Sequence, residues 1–238
     1  MARALRTQKA AVSAARRYCA AHYPDAELVL LCGSWARGTA HSDSDIDIVV
    51  LDPGVSELIF EGVTFESWLL EVCALSPEGV SGLFDAARRN RSAPVPHQVL
   101  DAVLVLGDEA TAQRVKDKAR RVLREGPEPL SEEERLELRW SLTTLLLDLQ
   151  HSDSAEIPAL AAQCHTDLAK AALDAAGAWR GERKTLRNAL AQILPEVTEC
   201  LDEGLRRACQ GDPDPLLVAG REILRSLGGE LRTYVERY

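Results

Sequence analysis

The sequence predicts an α+β protein in which an N-terminal domain of mixed strands and helices precedes an all-α bundle. Three observations carry that reading. Short β-prone apolar runs bounded by Gly, Pro and Asp recur up to Leu106. Beyond Gly107 only helical periodicity continues, almost to Tyr238. The breaker-rich stretch Gly126-Pro127-Glu128-Pro129 follows soon after this change of character. The expected domains are 1–109 and 110–238.

Each element has a local cause. Residues 3–22 combine apolar periodicity with helix formers and stop at Tyr23-Pro24-Asp25. Glu27 to Cys32 is a short apolar run ended by Gly33, as a buried strand would be, and a turn rich in Gly, Ser and Thr follows. Ile46 to Leu51 is a second strand, closed by Asp52-Pro53-Gly54. Leu58 to Phe60 and Val63 to Leu70 predict a hairpin with its turn at Gly62. Ser76-Pro77-Glu78 places Ser at an N-cap and Pro at the first helical position. Val103 to Leu106 is a last short strand, and 110–124 a connecting helix. Ser131 to Glu134 is a capping-box start for a helix to about Gln150. Helices near 155–177, 182–193, 195–210 and 213–227 complete an antiparallel bundle.

Composition excludes several classes. The 238 residues carry 28 Lys+Arg against 37 Asp+Glu, a formal charge of −9, so the surplus of cations that a long polyanion requires is missing and no nucleic-acid partner is expected. Hydrophobic residues at 46% suffice for a core. No run of about 18 apolar residues occurs, so no membrane span is expected. The six cysteines form no CxxC pair, and the opening segment has Arg and Lys throughout without an apolar secretory core, which together suggest the cytoplasm.

The chemistry concentrates in residues 32–48. A strand running into Gly33-Ser34 presents free backbone amides and a small hydroxyl where a phosphate can be cradled. Asp45 and Asp47, two apart at a strand start, project from one face. Crowded carboxylates repel, and a divalent cation resolves the conflict; hard oxygen ligands beside phosphate favour Mg²⁺. A Gly-Ser turn or an Asp-x-Asp pair alone is common at solvated turns, whereas the combination is far more specific.

Gly33-Ser34, ten residues, then Asp45-x-Asp47 heading an apolar strand resembles the signature of the DNA polymerase β-like nucleotidyltransferase superfamily. The form Gly33-Ser34-x-Ala36-Arg37-Gly38 with Ser44-Asp45-Ile46-Asp47-Ile48 is similar to its small bacterial members, including aminoglycoside (kanamycin-type) and lincosamide nucleotidyltransferases. The resemblance implies a small mixed sheet flanked by helices and a third carboxylate on a neighbouring strand. Glu66 is the first choice and Glu71 the alternative; an expected strand places them on opposite faces, so they cannot both serve.

The implied reaction transfers a nucleoside monophosphate, AMP from ATP or the equivalent from another triphosphate, to a hydroxyl of a small acceptor between the domains, releasing pyrophosphate. Gly33, Ser34, Arg37 and Ser44 are the expected nucleotide contacts. Asp45, Asp47 and Glu66 are expected to hold two Mg²⁺ ions, and Glu66 to take the acceptor's proton. Lys184, in the basic stretch Arg180 to Lys184, is the expected triphosphate contact from the bundle, against a solvated helix end as the plain reading. Asp148, on the apolar stretch Leu145 to Leu149, would bind the acceptor unless it simply faces water. A homodimer stays open by analogy. Two other readings remain: transfer to a protein, and a nucleotide sensor without catalysis.

Overall fold

The computed structural model describes residues 6–235, so residues 3–5 of the expected first helix lie outside the described part. Helix α1 runs Gln8–His22, with Thr7 as N-cap accepting from the Ala10 amide at 3.2 Å. Then follow β1 (Leu28–Leu31), α2 (Gly33–Arg37), β2 (Ile46–Leu51), β3 (Ile59–Phe65), β4 (Trp68–Leu75), α3 (Gly79–Arg89), α4 (Pro94–Leu100), β5 (Val103–Leu106) and α5 (Glu109–Glu125). The five strands form one mixed sheet in the order β3-β4-β2-β1-β5. Only β2 and β4 run parallel; the other neighbours are antiparallel.

Alternation along the strands separates two faces. On one, Val29, Leu31, Ile46, Ile48, Val50, Leu70 and Val72 form a core with Ala11, Ala14, Ala15 and Tyr18 of α1. The other carries Asp47 and Glu71, which are direct neighbours across the parallel β2–β4 pair.

The hairpin departs from expectation. Strand β3 passes through Gly62 unbroken, and the chain turns instead at Glu66 and Ser67, both at positive φ (47° and 66°). That is the backbone of a two-residue primed turn, which matches the twist of the flanking strands and here forms without glycine. Side-chain ties offset its strain: Glu66 forms an ion pair with Arg17 of α1, and Arg6 donates to the Ser67 carbonyl.

The chain divides into two compact units, residues 1–88 with 93–125, and residues 89–92 with 126–238. Helix α5, expected at the head of the second domain, packs on α4 and β1 and so belongs to the first unit. The second unit contains α6 (Glu132–His151), α7 (Ile157–Ala175), a 3₁₀ turn at Arg183–Thr185, α8 (Leu186–Ile193), α9 (Pro195–Ala208) and α10 (Asp214–Leu227). Its core joins Leu142, Leu146 and Leu149 of α6 to Leu168 and Leu173 of α7, Leu201 of α9 and Leu217 and Leu224 of α10. Ser131 and Glu134 form the expected capping box.

Residues 89–92 are tied into this bundle through charge. Arg91 donates to both Glu134 oxygens, at 2.5 and 3.3 Å, and its Nε stands 3.7 Å from the fully buried Asp174 carboxylate, which also receives Arg180. Removing one member strands the others in low dielectric. Asp174→Ala should therefore destabilise the protein by about 3 kcal/mol, read from denaturant unfolding; a change below about 1 kcal/mol would show the cluster to be well solvated. No helix among the described residues is long and apolar enough to cross a membrane.

Candidate active site

The site begins with a close approach that only glycine permits. Gly33 opens α2 at φ +66°, and a Cβ there would lie 1.7 Å from Oδ2 of Asp47. Missing that atom, the first turn of α2 nests against the Asp47 carboxylate, which puts Ser34, half-buried, beside the acidic face. Asp45 stands one residue before β2 and shares Asp47's side of the strand. Glu71 on β4 is the cross-strand neighbour of Asp47. Opposite Glu71 on β3 is Gly62, where a side chain would meet nothing within 4 Å, so the space beside Glu71 stays open.

Electrostatics report the same gathering. Asp47's carboxyl is pushed up to about 6 from an ordinary 3.8, first by burial and then by the Asp45 and Glu71 charges; Arg37 and a 3.1 Å hydrogen bond from Gln98 Nε2 oppose the shift. Gln98 comes from α4, and with Pro94 and Val95 it helps to line a cavity of about 350 Å³ together with Asp47, Glu71, Gly62 and Phe60. Phe60 is 64% exposed on the carboxylate face, an unusual position for a large aromatic side chain.

The expected residues are thus only partly brought together. Gly33, Ser34, Arg37, Asp45 and Asp47 cluster. Glu66 does not join them, because it occupies the β3–β4 turn, where the Arg17 guanidinium holds its carboxyl below the usual range; Glu71, the alternative, stands at the site. Ser44 is buried and its hydroxyl accepts from the His41 amide at 3.0 Å, so it shapes the loop before Asp45. Lys184 lies exposed in the 3₁₀ turn of the second unit, and Asp148 faces water on α6 beside exposed Leu147. Gln98 and Phe60 gave no signal in the sequence, since their meaning depends on which strands become neighbours.

Among the described residues, no three acidic, histidine or cysteine side chains converge tightly enough to hold a metal ion as they stand. The donor set nevertheless fits Mg²⁺, which binds through one or two carboxylates plus substrate phosphates and rarely through a closed protein cage. The raised Asp47 carboxyl marks the like-charge crowding that a cation would relieve.

Two substitutions separate the carboxylates. Glu71→Gln should lower nucleotidyl transfer by about 100-fold, whereas Glu66→Gln should leave it within roughly threefold, in assays with labelled triphosphate. The reverse order would favour Glu66 as the third carboxylate.

No curated protein matches the chain. Among solved structures, it is similar to a nucleotidyltransferase-like protein from Exiguobacterium sibiricum 255-15, with 15% identity, 90% of this chain and 74% of that chain covered, and a TM-score of 0.44. The family model described as the nucleotidyltransferase domain matches residues 12–81, the span that holds Gly33, Ser34, Arg37, Asp45, Asp47 and Glu71.

Proposed function

We propose that the protein transfers a nucleoside monophosphate from a triphosphate, ATP in the first instance, to a hydroxyl of a small acceptor, with release of pyrophosphate. The observation that carries this reading is the carboxylate face on which Asp47 lies against the Gly33–Ser34 turn and has Glu71 as its cross-strand neighbour, with the Asp45 charge close by. The family match over residues 12–81 supports nucleotidyl transfer in general.

Roles follow from position. Ser34 and the amides of its turn would bind the triphosphate tail on the β1 side of Asp47. Asp45 and Asp47, with Glu71, would hold Mg²⁺, in two sites by family resemblance; when bound, the ion neutralises charge on the phosphates and on the attacking and leaving oxygens. Glu71 lies on the opposite side of Asp47 from β1 and faces the open space at Gly62, which suits a carboxylate that orients the acceptor hydroxyl and takes its proton. Gln98 fixes the Asp47 rotamer through its hydrogen bond. The exposed Phe60 ring provides an apolar shelf on the acceptor side. An aminoglycoside- or lincosamide-like acceptor agrees with the family resemblance, and a cationic one with the acidic face.

Incubation with α-labelled nucleoside triphosphates, Mg²⁺ and a panel of aminoglycosides, lincosamides and other hydroxylated compounds tests the proposal. Label on a small molecule is the expected result. Label appearing on protein instead, or nucleotide binding with no transfer to any acceptor, would overturn the small-acceptor reading.

A further inference from the structure

We infer that Arg6 is a positioning residue for the phosphate-binding turn and for the loop that delivers Asp45; its consequence for nucleotide binding rests on the proposed function, its structural content does not. The reason begins with α2, which has only five residues and cannot sustain itself as a helix. It starts at a positive-φ glycine and ends at left-handed Gly38. Residues 41–43, just before Ser44, are exposed. Restraint on both pieces must come from elsewhere.

It comes from the segment ahead of α1. Arg6 Nη1 donates to the Ser42 carbonyl at 2.8 Å, and Nη2 donates to the Ser67 carbonyl in the β3–β4 turn. The guanidinium also lies 4.3 Å from the centre of the Trp68 ring. Trp68 packs edge-on against Trp35 of α2, with ring centres 5.4 Å apart and planes at 76°. Trp35 Nε1 in turn donates to the Ser44 carbonyl at 3.4 Å. Two residues after Arg6, Gln8 Nε2 donates to the carbonyls of Trp35 and Ala36 at 2.8 and 3.2 Å, satisfying groups that a short helix leaves open. Arg6 thus holds Ser42, three residues before Asp45, and the turn that leads into the Glu71 strand, and through the Trp68 ring it reaches Trp35, the neighbour of Ser34. A planar guanidinium suits the task because it can serve two carbonyls and one aromatic face at once.

Arg17 supplies the control. It secures the same β3–β4 turn through Glu66, and it donates to Glu66 and Ser13 rather than to Ser42. Amide hydrogen exchange should be compared in the full chain without ligand for wild type, Arg6→Ala, Arg6→Lys and Arg17→Ala. Arg6→Ala is expected to speed exchange at residues 34–45 by roughly tenfold, with the β2 and β4 amides unchanged and the thermal midpoint only slightly lowered. Arg6→Lys, which keeps the charge but not the fork, should act in the same direction to a smaller extent, and it decides the matter if the alanine variant does not fold. Arg17→Ala should leave residues 34–45 as in wild type. Wild-type exchange at 34–45 in both Arg6 variants, or an equal acceleration in Arg17→Ala, would overturn the inference. In tryptophan-fluorescence titrations with Mg-ATP, Arg6→Ala should weaken binding about five- to twentyfold and Arg17→Ala less than about twofold. Failure of the wild type to bind Mg-ATP would sink the nucleotidyl-transfer reading alone, because the exchange comparison contains no nucleotide.

Discussion

Asp47→Asn is expected to leave less than about one part in a thousand of nucleotidyl transfer while making the unliganded protein harder to unfold at neutral pH. The loss follows from removing the charge that faces both Asp45 and Glu71. The gain follows from the same charge. Burial and the two neighbouring carboxylates push the Asp47 carboxyl up to about 6, so the folded state holds this proton more tightly than the unfolded chain does. The stability that accompanies a raised value is fully present below the unfolded 3.8 and is lost as pH rises through about 6. Asparagine has no such titration, and its carbonyl can still accept from Gln98.

Wild type and variant should therefore unfold at similar temperatures near pH 4, diverge between about pH 4 and pH 6, and stay apart above that. A two-unit displacement corresponds to roughly 3 kcal/mol at full weight, and solvent around this half-buried group reduces the expected gain to about 1–2 kcal/mol. Melting curves at several pH values measure the divergence. Mg²⁺ with ATP should raise the wild-type midpoint and leave the variant unmoved. A variant that melts below wild type at pH 7 would show that the Asp47 charge is not crowded.

Gly33→Ala should be nearly as damaging to transfer, by about 100- to 1,000-fold, and unlike Asp47→Asn it should destabilise the fold by about 2 kcal/mol. The new methyl would sit 1.7 Å from Asp47 Oδ2 and 2.7 Å from its Cγ, so either the carboxylate leaves its place or α2 lifts away. The positive φ adds strain that no rearrangement of Asp47 removes. A double variant distinguishes the two contributions. Asp47→Ala deletes the atoms met at 1.7 and 2.7 Å and leaves a Cβ contact at 3.2 Å, so Gly33→Ala should cost less stability in that background than in wild type. Equal costs in both backgrounds would assign the whole effect to the backbone.

The contrast between Glu66 and Glu71 shows where sequence reading stops. Both are acids near a strand, and either fits a pattern of alternating faces. What separates them is the position of one turn. Gly62 looks like the natural hinge, because glycine adopts turn backbone without strain. The chain keeps Gly62 in β3, directly opposite Glu71, and turns at Glu66-Ser67. Arg17 and Arg6, far away in sequence, hold that turn. Local propensity was outvoted by long-range ties, and with it Glu66 went to the turn while Glu71 came to lie beside Asp47.

The residues alone determined what is short-range: β1 leading into Gly33-Ser34, the paired aspartates opening β2, the capping box at Ser131, and the change from strands to helices after Leu106. Each depends on steric and hydrogen-bonding preferences within a few positions, which a sequence displays directly. Tertiary structure decided the rest: that β4 lies parallel to β2 and sets Glu71 beside Asp47, that Gln98 reaches the same carboxylate, that α5 joins the first unit, and that residues 89–92 join the second. Those outcomes depend on strand order and on burial energies summed over the whole chain, and neighbouring residues carry no record of them.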